Sequence, residues 1–282
     1  MPALTLHLLA FKDHSDDAKA FVAKLRSYTS VKVVVASRPR YVVVRPTFLD
    51  IDPLLMQKWD LVLLLQPTEQ NHHQGESSLI PSDLQDVILA EYRILAGIPS
   101  KLLSSFPERD AQLKKESPPA LTGSLSKMRS QSKESSQALE MSPDLLAFMD
   151  MLSAEHDKPV TMLNLLHFHY PDGKQNYFQY GQAFIPVAGR RGGNAKIVGN
   201  VVKTPAQSTF LNDSRGSPDR PEQDWWNEIS IVHYPSIRHF CDMLVSEDYQ
   251  AINERYRLKA LRDTFLLCTT EFDVEEDSRA KL

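Results

Sequence analysis

Apolar residues along this chain alternate, then recur at helical spacing, then alternate again, and this succession occurs twice. Leu4, Leu6 and Leu8 interleave with Thr5, His7 and Leu9, the period of two expected of a strand. The same reading predicts a helix near 16–28, with Ser15 suited to its N-cap, strands near 31–37, 41–45 and 59–66, and a helix near 82–96. Pro39, within Arg38-Pro39-Arg40, marks a broken strand, because proline cannot donate to a central ladder. Further along, strands are predicted over 160–168, 196–203, 226–234 and 265–272. A helix over 177–188 stops at Arg191-Gly192-Gly193. Helical stretches over 236–245 and 248–261 present Ile237, Phe240 and Leu244, then Tyr249, Ile252 and Tyr256.

The two successions match in detail. His7-Leu8-Leu9-Ala10-Phe11 answers Asn164-Leu165-Leu166-His167-Phe168, and Ala20-Phe21-Val22 answers Ala183-Phe184-Ile185. Lys32-Val33-Val34 answers Lys196-Ile197-Val198, and Trp59-Asp60 answers Trp226-Asn227. Tyr92-Arg93, with Leu102-Leu103 downstream, answers Tyr256-Arg257 with Leu266-Leu267. Five matches in one order predict two copies of a β-α-β-β-α-β unit, over 1–106 and 143–272. Between them, 107–142 is rich in Ser, Lys, Glu and Pro and is expected to be a disordered linker. Polar loops are expected at 67–81, which holds His72 and His73, and at 204–224, and a polar tail at 273–282.

Composition narrows the class. Apolar residues at 42% and charged residues at 24% are the balance of a globular chain. A net charge of −4 supplies no broad footprint for nucleic acid or anionic lipid, so neither is expected as a partner. The apolar run Leu4 to Phe11 is too short to span a membrane and lacks a signal peptide's layout. Two cysteines within apolar stretches, Cys241 and Cys268, suit a reducing compartment, and a cytoplasmic location is expected.

Five motifs of the second copy carry a resemblance. They are Met162-Leu163-Asn164-Leu165, Tyr177-Phe178-Gln179-Tyr180, Arg191-Gly192-Gly193, His233-Tyr234-Pro235 and Asp248-Tyr249-Gln250-Ala251-Ile252. Over roughly 145–272 the chain resembles the uncharacterised, unknown-function branch of the dimeric α+β-barrel superfamily. The first copy lacks the Tyr pair and the Gly pair and matches only through the repeat. The resemblance implies an α+β fold in which ferredoxin-like units pair their sheets into a barrel, usually between two chains. Here the two copies would do so within one chain, as a pseudo-twofold monomer or a homodimer of such chains. Relatives include cofactor-independent oxygenases, lactone isomerases, polyketide cyclases and haem-degrading enzymes, so the fold alone does not choose a function.

Strand alternation nominates the chemistry. A polar residue stands mid-strand in each copy, His7 and Asn164, and the expectation places both in the barrel lumen with Trp226, Glu228 and Ser230. By that parity Asn227, Ile229, Ile231 and His233 face the helices. Glu228 would be a base or acid with a pKa raised by desolvation, and His7 a second base. Asn164, Ser230 and Tyr180 would hydrogen-bond a ligand against an apolar wall at Trp226. The plainer readings pair Glu228 with Arg255 or Arg257 and make His7 a satisfied core histidine. His167 and His169 point one way but have no third ligand, and His72-His73 has no partner, so no metal is expected. Arg190, Arg191 and the two glycines read as a helix stop, since a helix C-terminus is the wrong end for an anion. No phosphate loop, dinucleotide fingerprint, nucleophile elbow or CxxC occurs, and no cofactor is expected. The Asn–Trp–His trio of haem-degrading relatives is incomplete, because His233 falls on the opposite parity from Asn164 and Trp226. The residues thus suit a small, partly apolar organic ligand in the lumen and cofactor-independent oxygenation, isomerisation or cyclisation. The alternatives are a non-catalytic binding or stress-type protein and a structural duplication with a filled lumen.

Overall fold

Eight strands account for both halves of the chain: β1 (Ala3–Phe11), β2 (Val31–Val44), β3 (Leu61–Pro67), β4 (Ile88–Gly97), β5 (Val160–Phe168), β6 (Asn194–Val201), β7 (Glu228–Tyr234) and β8 (Leu261–Glu271). The structure is a computed structural model that describes residues 1–13, 18–68, 79–128, 137, 139–202 and 221–276. Ser15, His72, His73, most of the 204–224 loop and the end of the polar tail lie outside the described residues.

All strand pairings are antiparallel, and they close a barrel in the order β1-β3-β2-β8-β5-β7-β6-β4. Cut at its two seams, the ring gives β4-β1-β3-β2 and β8-β5-β7-β6, one strand order used twice. The equivalence reaches single hydrogen bonds. The Phe11 amide donates to Asp60 Oδ2 at 2.8 Å, and the Phe168 amide donates to Asn227 Oδ1 at 2.7 Å. In each unit the same Asp or Asn amide then donates to the strand carbonyl two residues earlier, Leu9 or Leu166. The seams differ. β2 meets β8 from Ser37↔Glu271 to Val44↔Leu266, whereas among the described residues β4 meets β6 at Ala96↔Val201 and Gly97↔Asn200, with the Val202 amide donating to Leu95 O just beyond. At the shorter seam a Cβ on Gly199 would come within 2.9 Å of Ile98 Cγ1, so the approach requires glycine.

One buried cluster draws on strands of both units and fills the lumen: Leu4, Leu6 and Leu8 from β1, Leu163 and Leu165 from β5, Ile229 and Ile231 from β7, with Tyr92 and Trp226 among them. Eight strands leave an interior that side chains can fill. Two further clusters lie on the outer faces. Phe21, Val22 and Leu25 of α1 (Ala18–Arg26) cover Leu61, Leu63 and Leu65. On the second sheet, α6 (Pro143–Glu155), α7 (Gly173–Gly189) and α8 (Ile237–Leu244) cover Met162, Val232 and Leu266. Ser142 caps α6, its hydroxyl accepting from the Leu145 amide at 3.1 Å.

The helix expected over 82–96 is not formed. One short turn, α3 (Ser82–Gln85), leads into β4, where Tyr92, Ile94 and Ala96 alternate inward. Ile88, Tyr92 and Leu95 also fit helical spacing, and a strand beside β1 won because it buries the alternating set in the lumen. Leu102 and Leu103 accordingly lie in α4 (Ser100–Lys115), not in a closing strand. The strands expected at 31–37 and 41–45 are one strand, β2, whose register shifts near Pro39.

The stretch from 107 to 128, expected to be disordered, is built into the fold. Phe106 anchors α4 in the lumen cluster, and Lys196, fully buried on β6, meets Asp110 and Glu271. Lys114 joins the same carboxylates and Asp273, which offset its burial and raise its pKa. Downstream, Thr122 donates from its amide and hydroxyl to Asp242, and Pro119 O lies 2.9 Å from His239 Nε2. Polar composition misled because these charges are paired, not solvated. Residues 129–136 and 138 lie outside the described residues.

Candidate functional site

The second sheet's outer face is covered incompletely. α7 stands over β5, β6 and β7, while α9 (Glu247–Ile252) continues through a π-helical turn (Asn253–Arg257) into a last turn (Leu258–Ala260) beside it. Between them lies a cavity of about 320 Å³. The sheet contributes Met162, Asn164, Glu228, Ser230 and Val232. Asn164 pairs with Ser230 across β5 and β7, and Glu228 lies two residues further along β7, opposite Leu166. Period two puts all three on one face. α7 supplies Tyr177, Tyr180 and Phe184, and the α9 segment supplies Tyr249 and Arg257.

Glu228 makes no side-chain hydrogen bond or ion pair among the described residues, and burial pushes its carboxyl up to about 7 against a weak opposing pull from Lys174. Lys174 Nζ itself donates to Asn200 Oδ1 at 3.1 Å. Asn164 Nδ2 donates to Met162 O at 3.1 Å, which leaves its carbonyl oxygen without a protein partner among the described residues. Tyr180 donates to the Tyr249 hydroxyl over a long 3.5 Å, and burial raises all three phenols, Tyr177, Tyr180 and Tyr249. Arg257, 3% exposed, donates to Gln137 O at 2.9 Å, to Thr264 Oγ1 at 3.3 Å and to Asn253 Oδ1 at 3.5 Å. Neither Arg255 nor Arg257 pairs with Glu228. Arg255 lies over the Tyr256 ring instead.

The constellation expected in the lumen is divided by the sheet. Asn164, Glu228, Ser230 and Tyr180 converge, but on the helix-covered face. Ile229 and Ile231, expected to face helices, point into the lumen instead. The parity is the inverse of the expected one because a polar residue mid-strand marks the less completely packed face, and here the packed lumen is the drier side. Trp226 does lie in the lumen, just before β7, and its Nε1 donates to the Tyr92 hydroxyl at 2.9 Å. It cannot share a ligand with Asn164 through the sheet. His7 is in the other unit, on the outer face of the first sheet, with Nδ1 2.5 Å from Glu91. Burial raises the Glu91 carboxyl, but the hydrogen bond and charge of His7 outweigh it and hold it below the usual carboxylate range.

The remaining candidates are structural. His167 Nδ1 is 2.8 Å from Trp225 O, and His169 is exposed. His233 lies on the inner parity, where burial and Lys196 push it down to about 3. Arg191 is bound to Asp242 and Asp248, and Gly192 takes φ +72 where a Cβ would meet Pro235 at 2.5 Å. That motif is a tied helix stop. Among the described residues one acidic trio, Asp110, Glu271 and Asp273, has metal-ligand spacing, but Lys114 and Lys196 already hold it.

Arg257 and Tyr249 were not nominated from sequence. Helical spacing selected Tyr249, Ile252 and Tyr256, but the structure buries Tyr249, Asn253 and Arg257. The π-helical turn winds wider by one residue and rotates Arg257 onto the cavity. The signal available was an arginine next to a periodic apolar stripe, which carries little information.

No family model matches the chain, and no curated protein matches it. Among solved structures, a protein of unknown function from Rhodopseudomonas palustris is 25% identical, over 46% of this chain and 93% of that one, at a TM-score of 0.31. A provisionally assigned monooxygenase from Lactobacillus acidophilus is 7% identical over 96% and 93% of the two chains, at a TM-score of 0.47. A mutant chlorite dismutase from Candidatus Nitrospira defluvii is 11% identical over 97% and 94%, at a TM-score of 0.40. The strand order decides the fold. It is a closed, antiparallel, eight-stranded α+β barrel formed within one chain. In this α+β barrel the described residues that line the cavity lie in the second unit and at Leu139 just before it. In the first unit α3 is a single short turn, and among the described residues no helix answers α8 and α9. No helix among the described residues is long and apolar enough to cross a membrane.

Proposed function

We propose that the barrel binds a small, partly apolar organic molecule in the cavity beneath α7 and moves a proton on it with Glu228. The observation that carries this reading is a half-buried carboxyl with no protein partner among the described residues, facing a cavity with Asn164 and Ser230 beside it. A carboxyl whose pKa stands near 7 exchanges a proton with carbon or oxygen acids close to neutral pH. Asn164 and Ser230 supply hydrogen-bonding partners to one edge of the ligand. Met162, Phe184, Val232 and Leu266 enclose its apolar body. Such a site suits isomerisation, cyclisation or oxygenation of an acidic carbon without a bound cofactor. The first unit, on this reading, is a diverged duplicate that completes the barrel but contributes no ligand contact.

The test is a thermal-shift screen of aromatic acids, phenols, diketones and lactones at about pH 7, followed by chromatographic assay of each binder for turnover. The reading expects binders whose conversion is lost in Glu228→Gln while binding survives. Binders converted equally by Glu228→Gln would remove Glu228 from the chemistry. Binders displaced by no cavity substitution would remove the site.

A further inference from the structure

Resting on the cavity reading above, we infer that the ligand is an organic anion, a monocarboxylate or equivalent oxyanion on an aromatic or aliphatic body, whose charged group is held at Arg257. Arg257 is 3% exposed, yet every group it touches among the described residues is neutral: a backbone carbonyl, a threonine hydroxyl and an asparagine amide. The other buried cations near this sheet are treated differently. Arg191 meets Asp242 and Asp248, and Lys196 meets Asp110 and Glu271. A guanidinium taken out of water without a counter-ion is costly, and the deficit falls at the wall of a cavity.

Glu228, the acid among the residues lining the cavity, does not fill the role. It makes no ion pair with Arg257, and the cation that acts on it is Lys174. Glu228, Tyr177 and Arg257 all line this one cavity, so carboxyl, phenol and guanidinium face a shared space. Arg257 also acts on the Tyr180 and Tyr249 phenols, whose hydroxyls lie 3.5 Å apart. A carboxylate at Arg257 would therefore accept from a guanidinium and from phenol hydroxyls, a set of donors that an amide or ester meets less well. The backbone supports the assignment. Arg257 closes the π-helical turn of the α9 segment, and without that widened turn the regular helical register would turn it away from the cavity.

The experiment is calorimetric titration of the full chain at about pH 6.5 with 2-naphthoate and with 2-naphthamide, which share one body and differ in charge. The parent protein should bind the carboxylate about tenfold or more tighter than the amide. Arg257→Gln, which keeps hydrogen bonding without charge, should abolish that preference by weakening the carboxylate far more than the amide, while Arg257→Lys should retain part of it. Equal affinities in the parent would overturn the anion assignment and leave the cavity reading standing. A preference that survives in Arg257→Gln would overturn it in the same way. Should Arg257→Gln fail to fold, the comparison within the parent still decides. Binding of neither probe would overturn both readings.

Discussion

Replacing Glu228 with Gln changes one proton-binding site and almost no volume, which makes its effect on stability calculable. In the unfolded chain the carboxyl titrates near the ordinary glutamate value of 4.5, and in the fold burial lifts it to about 7. The folded form therefore keeps its proton longer. The group's contribution to stability is intact below about pH 4.5, is lost as pH rises to about 7, and is constant above that. Ionising it within the fold costs about 3 kcal/mol more than in water, an upper figure because local relaxation and the nearby Lys174 reduce it. Glutamine has nothing to ionise. The variant should match the parent near pH 4.5 and exceed it by about 2–3 kcal/mol at pH 8. Urea unfolding of both proteins at several pH values measures this directly. Taking the difference between the two removes the parallel titration of His156, His167 and His233, which both share. A stability difference that does not change between pH 4.5 and 8 would show that the Glu228 carboxyl is solvated or paired, and the cavity chemistry would lose its proton carrier.

Other outcomes follow from other parts of the molecule. Asp263, fully buried, accepts from the amides of Thr47, Phe48 and Leu49, so Asp263→Ala should cost about 3–5 kcal/mol in denaturant unfolding. A loss under about 1 kcal/mol would show that those amides find other partners. Lys196→Met leaves Asp110 and Glu271 to share Lys114 alone and should cost about 3–5 kcal/mol, with recovery when Asp110→Asn is added. Leu165→Ala, in the filled lumen, should lower stability by about 2–5 kcal/mol yet leave ligand affinity in the cavity unchanged. Cys241 and Cys268 are both buried, and burial pushes the Cys268 thiol up to about 12. Neither should react with a thiol reagent until the chain is unfolded.

Most of the fold could be read from residue order because alternation and helical spacing are local. Leu4, Leu6 and Leu8 with Leu163 and Leu165 marked two equivalent strands, and Asp60 with Asn227 marked equivalent ends. What misled was non-local. Tyr92, Ile94 and Ala96 fit a strand or a helix equally, and only the neighbouring β1 decides. Alternation states that Asn164, Glu228 and Ser230 share a face but not which face, because that depends on which side of the sheet packs more completely. Arg257 depends on a one-residue irregularity in helix winding that no spacing rule anticipates. The helix ending at Lys115 looked like linker because its charges find their counter-ions on β6 and β8, far away in sequence.

The unequal seams have a consequence for how this ring yields. In a barrel closed between two identical chains, symmetry makes both junctions alike. Here one junction runs from Ser37 to Val44 against β8, and the other, among the described residues, is two residue pairs and the Val202–Leu95 bond beside Gly199. The ring is therefore a bracelet with one clasp. Backbone amides at the β4–β6 clasp are expected to exchange with solvent through brief local parting, while those along β2 and β8 exchange only when the whole chain unfolds. The clasp lies at the end of β6, the strand whose Val198 lines the cavity. Opening there loosens the wall of the ligand site without disturbing the longer junction on the far side.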